Sequence, residues 1–119
     1  MAIRIGLVID CSDPDRLGAF WSAALGYTML GAAGNYALLV DEKGSHPKLL
    51  LQRVPEAKTA KNRMHLDIET PDVQDEVVRL ESLGATRVEG PLEEYGSHWF
   101  VMHDPEGNEF CVCDGGQPG

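Results

Sequence analysis

One supersecondary pattern runs through this sequence twice, and no other feature restricts its folding as strongly. Residues 2–9 alternate as a half-buried strand, with Ile3, Ile5, Leu7 and Ile9 on one side. Ser12-Asp13-Pro14-Asp15 then carries the signals of a helix start, and Leu17, Phe20, Trp21, Ala24 and Leu25 follow at helical spacing before Gly26. The order returns with Met64, Leu66 and Ile68 in alternation, then Thr70-Pro71-Asp72, then Val73, Val77, Leu80 and Leu83 before Gly84. Leu25-Gly26 and Leu83-Gly84 are offset by 58 residues, Ile9 and Ile68 by 59. Three short strands are expected after each helix, over 27–30, 36–40 and 48–54 and over 86–89, 98–103 and 109–113. Each half thus reads strand–helix–strand–strand–strand, a unit that cannot bury its own apolar face. Two such units must pack together, within the chain or with a second chain, and the fold class is α+β.

The 119 residues suffice for a single domain with one core. The polar, aperiodic stretch from Pro55 to Asn62 reads as the linker (56–62), between a first module over about 1–55 and a second over about 63–115.

A net charge of −9 leaves only Lys58, Lys61 and Arg63 as a loose basic group, so a nucleic acid is an unfavourable partner. Cys11, Cys111 and Cys113 are odd in number and match no disulfide framework, which fits reduced thiols in the cytoplasm. No stretch approaches membrane-spanning length, and the N-terminus lacks the apolar core and cleavage site of a signal peptide.

In the second half, Arg63–Asp72 (RMHLDIETPD), Ser82–Ala85 (SLGA) and Phe100–Val112 (FVMHDPEGNEFCV) resemble the glyoxalase/bleomycin-resistance/dioxygenase proteins of the vicinal oxygen chelate superfamily. The resemblance is weaker in the first half but follows the whole chain in order. It implies paired βαβββ modules whose sheets curve around a pocket, and assembly as a homodimer. The Asp104-Pro105 to Gly107-Asn108 segment is also a turn in its own right.

In metal-dependent relatives the ligands come from the first and last strands of each module. Carried over, the second module's first-strand ligand is His65, and its counterpart in the first module is Gly6, which has no ligand atom. The first module's last-strand position matches Gln52, and the closing ligand falls on Cys111 instead of a Glu. Hard cations want carboxylate oxygens, whereas Gln52, His65 and Cys111 are an amide, an imidazole and a thiol that could hold Zn²⁺ with water in a fourth position. His65 and Gln52 are therefore the candidate metal residues, for Zn, Ni, Fe or Mn, although the expectation is that no cofactor is bound.

Asp67 shares a strand face with His65, so the two form a candidate catalytic pair, or only a structural hydrogen bond. The ligand pocket is expected to draw on Gln52, His98, Trp99 and Cys111. His98 and His103 have opposite strand parity, so one of them faces the pocket. Cys111 lies in an apolar strand, where a thiol behaves as a small hydrophobe more often than as a nucleophile.

Two functions remain. One is a glyoxalase-like protein with a degenerate metal site that binds a small organic molecule, in the manner of resistance-type sequestration. The alternative is an enzyme, metal-assisted or based on His65, with lyase, isomerase, epimerase or dioxygenase-like chemistry on a small organic substrate.

Overall fold

The computed structural model describes residues 4–114, and residue 32 by its backbone alone. The chain divides into two compact units, Met1–Lys58 and Thr59–Gly119, with the division inside the expected linker. Residues 2 and 3 of the expected first strand, and residue 115 at the expected end of the second module, lie outside the described residues.

The first unit runs β1 (Leu7–Cys11), α1 (Pro14–Leu25), β2 (Thr28–Ala33), β3 (Tyr36–Val40) and β4 (Leu49–Arg53). Its four strands stand in the order β1-β4-β3-β2, with β1 parallel to β4 and the other pairs antiparallel. Asp13 caps α1 by accepting the Arg16 backbone N–H at 3.2 Å, and Pro14 occupies the first turn, where no N–H is needed. Leu17, Phe20, Trp21 and Ala24 are buried, and the Phe20 and Trp21 rings meet edge to face with centroids 5.1 Å apart. They cover the sheet face of Ala37, Leu39, Leu49 and Leu51, all at most 1% exposed. Strand β2 extends through Gly31–Ala33, where the sequence suggests a turn, because a bulge between Met29 and Gly31 lets the chain keep pairing with β3.

The second unit repeats this plan with β5 (Leu66–Glu69), α2 (Val73–Leu83), β6 (Thr86–Glu94), β7 (Ser97–His103) and β8 (Glu109–Cys113), in the order β5-β8-β7-β6. Asp72 caps α2 by accepting the Asp75 N–H at 3.2 Å. Both helices end on a glycine in the left-handed region, Gly26 at φ 70° and Gly84 at φ 119°, as the sequence predicts. Helix α2 buries Val77 and Leu80 fully, against the side of the sheet that carries Phe100, Met102, Phe110 and Val112. Strand β6 runs five residues beyond its expected end, through Pro91; as an edge strand with two register shifts it tolerates a residue that cannot donate.

The fold is α+β, two four-stranded sheets each with one helix. Among the described residues no helix is long and apolar enough to cross a membrane. All three cysteines are buried and unpaired as disulfides.

Candidate functional site

Side chains alternate across a strand, so a parallel pair in register sets matching residues on a common face. Strands β5 and β8 pair Leu66 with Phe110, Asp67 with Cys111, Ile68 with Val112 and Glu69 with Cys113. Phe110 and Val112 belong to the side covered by α2, which turns Asp67 and Cys111 to the other side. His65 stands two residues before Asp67 and joins it there: its Nε2 lies 3.1 Å from Asp67 Oδ1. The imidazole, the carboxylate and the Cys111 thiol bring their ligand atoms within 4.8 Å of one another. The His65 and Asp67 side chains are 43% and 32% exposed, above a thiol whose residue is only 7% exposed.

The Asp-Pro-Glu-Gly-Asn segment holds this arrangement in register. Asp104 is 3% exposed; its Oδ1 accepts the backbone N–H groups of Glu106 and Asn108, and its Oδ2 accepts the Asn108 side-chain amide, each at 2.9 Å. The Gly107 N–H donates to the Asp104 carbonyl at 2.9 Å. The motif is thus a clasp that fixes where β8 begins. A second tie, from the Asn62 N–H to Glu109 Oε1 at 2.6 Å, holds the entry to β5 against β8.

The remaining sequence-predicted residues are dispersed. Trp99, half-buried on β7, shares the face of Val101 and Cys111. His98 takes the opposite parity, that of Phe100 and Met102, and its ring sits between Glu93 Oε2 at 3.0 Å and Asp114 Oδ2 at 3.1 Å. His103 is the histidine on the face of Cys111, with its Nε2 3.4 Å from Glu109 Oε2. Glu109 is a residue that the sequence reading did not single out; its place two residues before Cys111 on the same strand was the available signal.

Gln52 belongs to the first unit, where the register gives it a different counterpart. There β1 and β4 pair Val8 with Leu50 and Asp10 with Gln52. Val8–Leu50 corresponds to Asp67–Cys111, and Asp10–Gln52 to Glu69–Cys113. Leu50, rather than Gln52, is the counterpart of Cys111, and Gly6 precedes β1 as an exposed residue whose added Cβ would meet the Lys48 chain at 3.1 Å.

Burial pushes the Cys111 thiol up to about 11, with Asp67 and Cys113 adding to the shift and Lys61 opposing it. At neutral pH the group is a neutral thiol and no nucleophile. A hard cation such as Mg²⁺ finds one carboxylate in this cluster and is poorly served. An imidazole, a carboxylate and a thiol, with ligand atoms within 4.8 Å of one another, are a donor set of the kind that borderline cations such as Zn²⁺ accept.

A family model described as glyoxalase-like domain matches residues 6–113. Among solved structures, a glyoxalase/bleomycin resistance protein/dioxygenase family enzyme from Burkholderia phytofirmans is similar at TM-score 0.74 and 20% identity, covering 90% of this chain and 94% of that one. A protein from Agrobacterium tumefaciens solved in solution by NMR is similar at TM-score 0.76 and 19% identity, covering 94% and 96%. Lactoylglutathione lyase from Agrobacterium tumefaciens is similar at TM-score 0.69 and 22% identity, covering 96% and 93%. At these identities the likeness is one of fold. No curated protein matches the chain.

Proposed function

The chain belongs to the glyoxalase-like domain family, and on that premise we propose that it binds a small organic molecule on the face of the second sheet that carries His65, Asp67 and Cys111. The observation behind this reading is the convergence of those three side chains within 4.8 Å, on the sheet face that also carries the half-buried Trp99. The His65–Asp67 pair donates to or accepts from a polar group of the ligand, and Trp99 offers a ring face for stacking. The neutral Cys111 thiol supports binding over covalent catalysis. The reading includes assembly as a homodimer and residence in a reducing cytoplasm, the latter supported by three buried cysteines that form no disulfide.

The experiment is a thermal-shift screen of small organic molecules followed by titration of any hit into wild type and His65→Ala. The expected loss in the variant is roughly tenfold to a hundredfold in affinity, the worth of a hydrogen bond to a charged group. An unchanged affinity would sink the reading.

A second reading is favoured by the 3.1 Å contact between His65 and Asp67. There His65 accepts a proton from the bound molecule and the Asp67 carboxylate stabilises the imidazolium. Recovery of the hit unchanged after prolonged incubation supports binding; His65-dependent conversion supports the enzyme. If a divalent cation is taken up, His65, Asp67 and Cys111 are the residues to hold it, and its chemistry would be to polarise an oxygen of the ligand.

A further inference from the structure

Strand register lays out the open face of the second sheet in rows. Extending the β5–β8 pairing by one residue sets His65 beside Glu109, and Glu109 faces His103 on β7. The next row is Asp67, Cys111 and Val101. The one after is Glu69, Cys113 and Trp99, with Leu92 of β6 beside the tryptophan. The first row is polar, and the last ends in an indole and an aliphatic chain. From His103 to Trp99 the extended strand covers about 13 Å. Lys61 and Arg63 flank Asn62 at the polar end, where Glu109 Oε1 accepts the Asn62 N–H at 2.6 Å. We propose that this face takes an organic anion with an apolar end, an arylalkanoic carboxylate, with Lys61 pairing the carboxylate and Trp99 stacking on the ring. The inference rests on the reading above and gives its small organic molecule a chemical class.

Which charges are already satisfied decides the sign of the ligand. The carboxylates at the polar end have partners: Asp67 meets His65 at 3.1 Å, and Glu109 accepts the Asn62 N–H and stands 3.4 Å from His103. Glu69 lies in the row of Trp99, away from the place given to the ligand's carboxylate. Lys61 and Arg63 are exposed, and among the described residues neither enters a salt bridge. In a chain with 19 acidic and 10 basic residues, acidic partners outnumber cations, yet these two have none. Lys61 stands close enough to Cys111 for its charge to oppose the upward push on that thiol, so the ammonium acts on the cluster. An exposed ammonium gains little from a carboxylate that arrives alone. A carboxylate whose ring is already stacked on Trp99 meets it as a tethered partner, and the two contacts reinforce each other. A neutral ligand leaves the ammonium unused, and a cationic one is repelled by it.

The test titrates the full chain by calorimetry with phenylbutyrate, phenylbutanol, phenylbutylamine and butyrate, which vary charge and ring separately. Phenylbutyrate is expected to bind tightest, with the alcohol about fivefold weaker, the upper end for an exposed ion pair. The amine and the ringless butyrate are expected to bind more weakly than phenylbutyrate as well. Lys61→Ala removes the preference for the acid and leaves the alcohol where it was, and Lys61→Arg keeps the preference. Trp99→Ala weakens acid and alcohol alike, by about fivefold or more. Arg79→Gln, on the helix that covers the other side of the sheet, removes the same charge and leaves the preference intact. Circular dichroism identifies any variant that fails to fold, and Trp99→Leu then replaces Trp99→Ala. Equal affinity for acid and alcohol overturns the inference. So does a preference that survives Lys61→Ala or falls with Arg79→Gln, tighter binding of the amine, or no binding of phenylbutyrate. His65→Ala is scored separately. Ligands that need His65 but show no preference for the acid remove the inference and leave the binding reading. An acid preference that needs Lys61 and ignores His65→Ala does the reverse.

Discussion

The two units share a plan and differ in what they display. Each has a capped helix, a glycine stop, a parallel pair of first and last strands, and a helix-covered face of buried apolar residues. On the other face, Val8 beside Leu50 occupies in the first unit the place of Asp67 beside Cys111 in the second. The scaffold is conserved between the halves because each sheet must bury one side under a helix. The other side is under no such demand, so chemistry can be placed on one copy alone. The large buried side chains are distributed differently: the first unit carries Trp21, Phe20 and Leu17 on α1, whereas the second has only Val77 and Leu80 on α2 and places Phe100, Met102 and Phe110 on its sheet.

That contrast makes truncation of the cores the strongest perturbation. Trp21→Ala should cost about 3–5 kcal/mol and Leu80→Ala about 2–5 kcal/mol, with the tryptophan loss the larger, measured by urea denaturation. An equal or greater loss at Leu80 would overturn the ranking of the two helices.

The strands that follow each helix, β2 and β6, offer a matched pair of glycines. Gly90 has φ 131°, and a Cβ there would lie 2.7 Å from Phe100 Cδ2 and 3.1 Å from the Phe100 Cα, whereas a Cβ on Gly31 meets nothing within 4 Å. Gly90→Ala should therefore destabilise by about 2–4 kcal/mol, combining backbone strain and overpacking. Gly31→Ala should stay within about 0.5 kcal/mol of wild type. Thermal melts of both variants decide it.

Stripping the polar groups from the second unit's face is the direct test of where the chemistry lies. Asp67→Val with Cys111→Ala should reduce affinity for any screened ligand by roughly a hundredfold at a stability cost of only about 1 kcal/mol, that of truncating one small buried side chain. Binding that persists would move the site off this cluster.

A pH dependence separates Cys111 from the apolar Leu50 of the other unit. The folded-state thiol titrates at about 11, above its ordinary value of 9.0. Below pH 9 both folded and unfolded chains keep the proton. Between pH 9 and 11 the unfolded chain loses it first, so stability falls as pH rises through that window, by up to about 1.4 kcal/mol per pH unit. Denaturation at pH 8 and pH 10 should show this fall reduced in Cys111→Ala. Alkylation of Cys111 should be slow at pH 7.5, and faster in Asp67→Asn, which removes one of the charges that hold the thiol protonated.

The smallest effects are at the helix caps. Asp13→Ala and Asp72→Ala should each cost about 1 kcal/mol. Asp72 also raises the carboxyl titration of Asp75, by a hydrogen bond and by its charge. Unlike Asp13→Ala, Asp72→Ala should return Asp75 to the ordinary carboxylate range, as a titration followed by NMR would read.

Much of this was legible in local patterns. Period-2 alternation, the Asp-Pro and Pro-Asp helix starts and the Leu-Gly stops gave ten elements in the right order, because caps and turns are local chemistry. Errors gathered at strand ends, where pairing across the sheet carries β2 past Gly31 and β6 past Pro91. The pairing of His65 with Asp67 was readable, since it needs only the spacing along one strand.

The amino-acid sequence determined the duplicated layout, the α+β class and the buried faces, all of which follow from periodicity and backbone preference within a few residues. Only the tertiary structure decided which residues meet. Register between β5 and β8 set Cys111 beside Asp67, made Leu50 rather than Gln52 its counterpart, and turned His98 to the helix-covered parity and His103 to that of Cys111. Strand register is a contact between segments some forty residues apart, and a one-residue slip would send every one of these side chains to the opposite face.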